Sequence, residues 1–268
     1  MATQRIEGLN VAQDGGVLRL QLDRPERKNA LTDEIVAGLI ESFDAAGSDE
    51  SVRAIVLSGT GEHFCSGFDL TTRAPSGPEK PRVGAIQRRM GHQVNRLIPA
   101  MLECQTPIVA AAQGWVIGLG LNLVLASDFA VVADDARLWA PFTEFGFTPD
   151  SGASWLIPRL VGVARAKEML LLGRKVDGAK AAEWGLVHDA VPADELDRAA
   201  EALTTEVASA PTVAVGLSKL LVHRGLTADL HRHLAEEGFA MEVSSRSEDF
   251  AEYHRARRER RPPEFRGR

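Results

Sequence analysis

The sequence predicts an α/β fold with a helical C-terminal region. Three observations predict it. Short apolar, β-branched runs alternate with helical stretches through the first half of the chain. Two of those runs end in glycine-containing turns. Beyond Thr148 the strand signals give way to a succession of helical ones. With 268 residues, 44% of them apolar, the chain can build one large core, with or without a smaller appendage.

Val17-Leu18-Arg19-Leu20-Gln21-Leu22 alternates apolar and polar residues, the period of a half-buried strand. Pro25 to Asn29 makes a turn. Thr32 is the expected N-cap of a helix that carries Ile35, Leu39 and Phe43 on one face. Ala54 to Ser58 reads as a buried strand. The stretch from Thr71 to Arg82, rich in Pro, Gly and charge, reads as a loop, and a helix is expected from about Val83 to Glu103. Ile108 to Ala111 is the next buried strand. Leu121 to Ala126 is apolar on most sides, as a helix running through a core is. Phe129 to Ala133 and Arg137 to Ala140 are short strands around an Asp134-Asp135 turn. Helices are expected over Ser151–Leu160, Ala164–Leu172, Gly178–Trp184, Ala193–Ser209, Thr212–Gly225 and Thr227–Ser244. The basic run from Arg255 to Arg261 reads as a solvated helix end, with contact to an anionic ligand as the alternative.

Composition narrows the function classes. The net charge of -6 argues against nucleic acid as a partner, because phosphate binding needs a basic face. The chain has two cysteines, Cys65 and Cys104, which is no disulfide framework and fits a reducing, cytoplasmic setting. Cys65 lacks an accompanying histidine-and-carboxylate motif and reads as a small packing residue, not a nucleophile. The N-terminal residues do not follow the basic-then-apolar pattern of a secretory signal, and no apolar run has the length of a membrane span. His223, His231 and His233 form no metal-ligand pattern.

The two glycine-containing turns carry the chemistry. They are His63-Phe64-Cys65-Ser66-Gly67-Phe68-Asp69-Leu70 and Gln113-Gly114-Trp115-Val116-Ile117-Gly118-Leu119-Gly120. A strand that ends in glycines can turn its N–H groups outward instead of using them in a sheet. Two such turns brought together can aim two donors at one oxygen, as an oxyanion hole for an acyl carbonyl does. A tight strand-to-helix connection is the other reading of each turn.

Together with Arg24-Pro25-Glu26-Arg27-Lys28-Asn29-Ala30-Leu31, Thr106-Pro107-Ile108-Val109-Ala110-Ala111, Ala126-Ser127-Asp128, Pro158-Arg159-Leu160-Val161-Gly162 and Ala181-Ala182-Glu183-Trp184-Gly185-Leu186-Val187, these segments resemble the enoyl-CoA hydratase/isomerase (crotonase) superfamily, in order and spacing, from about Leu18 onward. The resemblance implies a ClpP/crotonase-like α/β spiral of β-β-α units. It places a catalytic, CoA-binding core over 1–195 and a helical region for trimerisation and pocket closure over 196–268. It also implies a homotrimer or a hexamer built as a dimer of trimers. The substrate is then an acyl-CoA thioester, with coenzyme A as part of the substrate and no metal or redox cofactor.

Carried over residue by residue, the resemblance assigns the oxyanion donors to the backbone N–H groups of Phe68 and Leu119. The family commonly has glycine where Leu119 stands, and the leucine narrows the pocket. Lys28, Ala30, Ser66, Gly67, Phe68, Asp69 and Leu70 correspond to the parts that hold CoA. Trp115, Gly118, Leu119, Phe142 and Phe147 are expected to line the substrate pocket, and Trp139 and Trp155 to add apolar surface there or in the core. The hydratases of the family use two glutamates; here Asn122 and Phe142 stand at those positions, and neither takes up a proton at neutral pH.

A single carboxylate offers itself instead. Phe145-Gly146-Phe147-Thr148-Pro149-Asp150-Ser151-Gly152-Ala153-Ser154-Trp155 resembles the segment carrying the one acid/base of the double-bond isomerases, closest to the ring-opening isomerase of phenylacetate breakdown. Asp150 is therefore the expected acid/base, with apolar surroundings expected to raise its pKa. Helix capping is the bland role for the same residue. Glu144 reads as a surface residue. His92 and Asn95 share a helix face; the position of the histidine base in the aryl-CoA dehalogenases of the family falls nearer Asn95 than His92, which argues against dehalogenation, and Arg88 and Arg89 read as a solvated face. The expected activity is double-bond migration in an enoyl-CoA. The alternatives are a 2-enoyl-CoA hydratase and a non-catalytic acyl-CoA-binding protein.

Overall fold

The computed structural model describes residues 6–73, 82–91 and 94–268. Strand β1 (Leu9–Asp14) pairs antiparallel with β2 (Val17–Leu22), with Asp14 opposite Val17 and Gly15-Gly16 between them. The pattern reading passes over β1, whose polar Asn10, Gln13 and Asp14 blur the alternation. The Asp-Gly-Gly turn is the local signal for this hairpin. On β2 the alternation is as expected: Leu18, Leu20 and Leu22 are buried, each worth about 1.5–3 kcal/mol against exposure.

The large sheet continues with β3 (Ala54–Gly59) and β4 (Ile108–Ala112), both parallel to β2. Strands β6 (Phe129–Ala133) and β9 (Asp189–Val191) complete it, in the order β1-β2-β3-β4-β6-β9. A smaller sheet holds β5 (Trp115–Ile117), β7 (Arg137–Trp139) and β8 (Val176–Asp177). The short strands β5, β8 and β9 lack an alternating pattern of their own and exist through their pairing.

Every residue of β4 is buried because the large sheet is covered on both faces. Ile108, Ala110 and Ala112 enter the main core, while Ala111 and Val131 pack with Leu196 and Ala200 of helix α7 (Leu196–Ser209). The main core also takes α1 (Asp33–Ala46), whose Thr32 cap receives the Ile35 N–H, with Ile35, Leu39 and Phe43 buried as predicted.

Two helices, α2 (Ala85–Met90) and α3 (Val94–Glu103), stand where one helix from 83 to 103 is expected. Most of the expected loop from Thr71 to Arg82, and His92, lie outside the described residues. Helix α4 (Leu119–Ala126) begins two residues before the expected Leu121 and is buried at every position. Helix α5 (Ala153–Leu171) is broken at Gly162, with φ 73° and ψ 165°, which accounts for the two separate helical patterns in the sequence.

After α6 (Gly178–Glu183) and α7 come α8 (Thr212–Gly225), α9 (Leu230–Ser244) and α10 (Glu248–Glu259). Asp229 caps α9, so that helix starts later than the expected Thr227, and only the end of α10 was legible. Lys219 of α8 is buried and reaches Asp128 at 2.8 Å, while Asp128 also accepts the Ile108 N–H at 2.8 Å. The C-terminal tail folds back on α10. Asp249 accepts the N–H groups of Arg266 and Gly267 at 2.6 and 2.9 Å. Arg53, just before β3, donates to the carbonyls of Ala210 and Phe265, each at 2.8 Å. Within the basic run, Arg261 grips Glu252, whose carboxyl it holds down at about 2. No helix among the described residues is long and apolar enough to cross a membrane.

Candidate active site

The first turn leaves β3 and runs between two partners. Cys65 pairs with Val116: its N–H donates to Trp115 at 3.0 Å and its carbonyl accepts from Ile117 at 2.9 Å. Phe68 pairs with Leu31: Leu31 N–H donates to Gly67 and Asp69 N–H donates to Leu31, both at 2.8 Å. In that ladder the N–H of Phe68 is directed away from Leu31. Gly67 makes the bend at φ 93°.

The second turn leaves β5 at Gly118, whose N–H donates to the Trp139 carbonyl at 3.0 Å. With φ 55° and ψ -118°, Gly118 adopts a conformation that needs glycine and starts α4 without a side-chain cap. Leu119 is the first residue of α4, so its N–H has no acceptor within the helix and stands at the positive end of the helix dipole. The two turns nearly touch. A methyl group on Gly67 would lie 3.0 Å from the Ile117 carbonyl oxygen and 3.6 Å from the Leu119 nitrogen. Gly120 lies against Cys65, where a methyl would come within 2.6 Å of its Cβ. Burial pushes the Cys65 thiol up to about 12, so it is protonated and shielded at neutral pH.

Residues expected to hold CoA lie together along one edge. Asn29, buried at φ 53°, accepts the Arg24 N–H at 2.8 Å and donates to the carbonyls of Thr60 and His63 at 2.9 and 2.7 Å. Those bonds set the exposed Lys28 and the half-buried Ala30 beside Ser66, whose N–H donates to the Lys28 carbonyl at 2.9 Å. Asp69 is buried, and the Thr71 hydroxyl, with Arg24 at 3.2 Å, holds its carboxyl below the ordinary aspartate range. Leu70 next to it is exposed.

Aromatic rings run from Trp115 through Trp139, Phe145 and Phe147 to Phe142, with centroid separations of 6.1, 6.0, 6.2 and 5.9 Å. Phe142 is buried, whereas Phe147 is 42% exposed and available to a ligand. Trp139 donates through its indole N–H to the Gly173 carbonyl at 2.9 Å, and Lys175 lies over its ring at 4.5 Å. Trp155, half-buried, is covered by the Arg159 guanidinium at 4.1 Å. Glu144 and Asn95 are exposed, as is Arg88.

Asp150 is half-buried and precedes two residues of left-handed backbone, Ser151 at φ 50° and Gly152 at φ 93°. Gly152 is the N-cap of α5, and the Asp150 carbonyl accepts the Ala153 N–H at 3.0 Å. Asn122, on the first turn of α4, donates to the carbonyls of Asp150 and Ser151 at 3.3 and 3.0 Å. Pattern reading identifies Asn122 only as the replacement of a carboxylate. Its place as the one polar side chain in the apolar run Leu119–Ala126 is the signal for a buried partner. Chemically, the arrangement brings the backbones of Phe68 and Leu119 together on adjoining turns and ties the backbone of Asp150 to the first turn of α4.

Known proteins agree in sequence and shape. Residues 12–268 match the family model described as Enoyl-CoA hydratase/isomerase. The chain is 34% identical over 254 residues to 1,2-epoxyphenylacetyl-CoA isomerase of Escherichia coli (strain K12), covering 94% of this chain and 95% of that protein. It is 34% identical over 260 residues to enoyl-CoA hydratase domain-containing protein 2, mitochondrial, of Bos taurus, covering 94% of this chain and 85% of that protein. A crystal structure of an enoyl-CoA hydratase from Bacillus anthracis superposes with a TM-score of 0.89 at 30% identity, over 97% of this chain and 100% of the other.

Proposed function

This chain belongs to the enoyl-CoA hydratase/isomerase family, and we propose that within it the protein moves a double bond in an enoyl-CoA thioester, with Asp150 as the single acid/base. The observation that carries this reading is the tie between Asp150 and the helix turn that begins at Leu119, made by an asparagine where a second carboxylate would serve hydration. Asp69, the other carboxylate near the turns, is committed to Arg24 and Thr71.

The Asp150 carboxylate takes a proton from C2 of a 3-enoyl thioester. The electron pair moves to the thioester oxygen, giving a dienolate that accepts hydrogen bonds from the Phe68 and Leu119 N–H groups. Asp150 then returns the proton to C4, the C2–C3 double bond forms, and no water is consumed. Lys28, Ala30 and the segment from Ser66 to Leu70 hold CoA, which is part of the substrate, so the step needs no separate cofactor. Trp115, Gly118, Phe142 and Phe147 frame the acyl group. The exposed apolar side chains Val222, Leu226, Leu230, Leu234 and Phe239 on and beside α8 and α9 support assembly into a trimer or a hexamer, which would cover them.

The test is a side-by-side assay of a 3-enoyl-CoA and a 2-enoyl-CoA in deuterated water, read by mass spectrometry. Conversion of the 3-enoyl to the 2-enoyl ester without added water supports the proposal. Faster addition of water to the 2-enoyl ester would replace it with hydration. No turnover and no deuterium uptake would leave a binding role.

A further inference from the structure

We propose that Asn122 is the positioning residue for Asp150, holding the backbone that carries the carboxylate in register with the Leu119 N–H. The proposal rests on the acid/base reading of Asp150, and the experiment below separates the two. Three observations converge on it.

Asn122 has no exposed surface, and both of its donor bonds go to consecutive carbonyls, those of Asp150 and Ser151, at 3.3 and 3.0 Å. Turned over, the amide would set its oxygen against two carbonyl oxygens, so chemistry dictates its orientation. Its Oδ1 has no hydrogen-bond partner among the described residues. The side chain is therefore held for what it donates, at the expense of a buried acceptor.

The segment it grips is not one that relaxes there unaided. Ser151 at φ 50° and Gly152 at φ 93° form two successive left-handed residues, a conformation that a serine seldom adopts without outside bonds. Asn122 supplies such a bond at Ser151, and the Ala153 N–H supplies one at Asp150.

The register follows from helix geometry. Asn122 N–H donates to the Gly118 carbonyl at 3.0 Å and closes the first turn of α4. Leu119 and Asn122 are three residues apart and so lie on neighbouring sides of that turn. One turn of helix thus carries both an oxyanion donor and the clamp on the base. A shift of the clamp moves the carboxylate relative to the reacting carbon, and small displacements at that distance cost large factors in rate.

The experiment compares Asn122→Asp, Asn122→Leu and Asp150→Asn with the native enzyme on a 3-enoyl-CoA, with thermal melts of each. Asn122→Asp keeps the shape but loses both donors when ionised and regains one when protonated. We expect its kcat to fall about 10- to 100-fold at pH 8, with KM within about twofold, because the CoA-holding segments lie elsewhere. Its kcat relative to the native enzyme should rise as pH falls toward 5. Asn122→Leu should lose kcat with a ratio that is flat in pH. An Asn122→Asp enzyme with native kcat, or one whose ratio stays flat while its melting temperature drops, would overturn the positioning role. Native turnover in Asp150→Asn would overturn the acid/base reading and this proposal with it. An inactive Asp150→Asn beside an unaltered Asn122→Asp would overturn this proposal alone.

Discussion

Gly67 stands so close to Leu119 that a methyl on the glycine would sit 3.6 Å from the leucine nitrogen. Gly67 also holds φ 93°, where an L side chain costs about 1–2 kcal/mol. Gly67→Ala should therefore lower stability by about that amount in urea titration. It should also displace the Phe68 N–H, and loss of one such donor lowers kcat by about 10²–10³. A variant with native kcat would show that this turn does not serve the oxyanion.

Asn29 knits the Lys28–Ala30 turn to the residues before the first glycine turn with three side-chain hydrogen bonds. Asn29→Ala leaves one half-buried donor and two half-buried acceptors without it, and should cost about 1–3 kcal/mol by denaturant unfolding. If the turn holds CoA as proposed, KM for the thioester should rise more than kcat falls.

Lys219 and Asp128 form a buried ion pair across the junction of α8 with the large sheet. Lys219→Ala should destabilise by about 1–3 kcal/mol, because it takes the cation from a largely buried carboxylate that keeps the Ile108 N–H and His223 beside it. Replacing both by Lys219→Met with Asp128→Asn should recover most of that loss. A double-mutant cycle in urea measures the coupling, and additive single effects would deny it.

Cys65 titrates from an ordinary thiol value of 9.0 to about 12 when folded, and burial is the cause. Between those values the unfolded chain has released a proton that the folded chain still holds. Its contribution is whole below pH 9.0 and is lost as pH rises toward about 12. Native stability should therefore fall more steeply with pH across this window than that of Cys65→Ala, by up to about 1.4 kcal/mol per unit. A thiol reagent at pH 8 should label neither Cys65 nor Cys104, both buried, until the protein unfolds. Rapid labelling of the native protein would contradict the burial.

The long elements were legible because their signals are local. Alternation marks β2, and Thr32 with the Ile35, Leu39 and Phe43 stripe marks α1. The two glycine turns of the candidate site were legible because the positive φ of Gly67 and Gly118 demands glycine. What stayed hidden depends on tertiary pairing. β9 has three residues and exists through its register with Val131 to Ala133. Asn122 acts on carbonyls 28 and 29 residues away, and no local pattern records whose backbone a buried amide will meet.

The Arg53 clamp bears on how the protein is made. Its guanidinium bridges carbonyls 157 and 212 residues further along the chain. A ribosome adds about 5–20 residues per second, so Phe265 emerges roughly 10–40 s after Arg53. Throughout that interval the arginine has no native acceptor at Phe265, and the end of β3 beside it waits for that partner. Vectorial synthesis thus closes this seam late, long after the strand β3 beside Arg53 has been made.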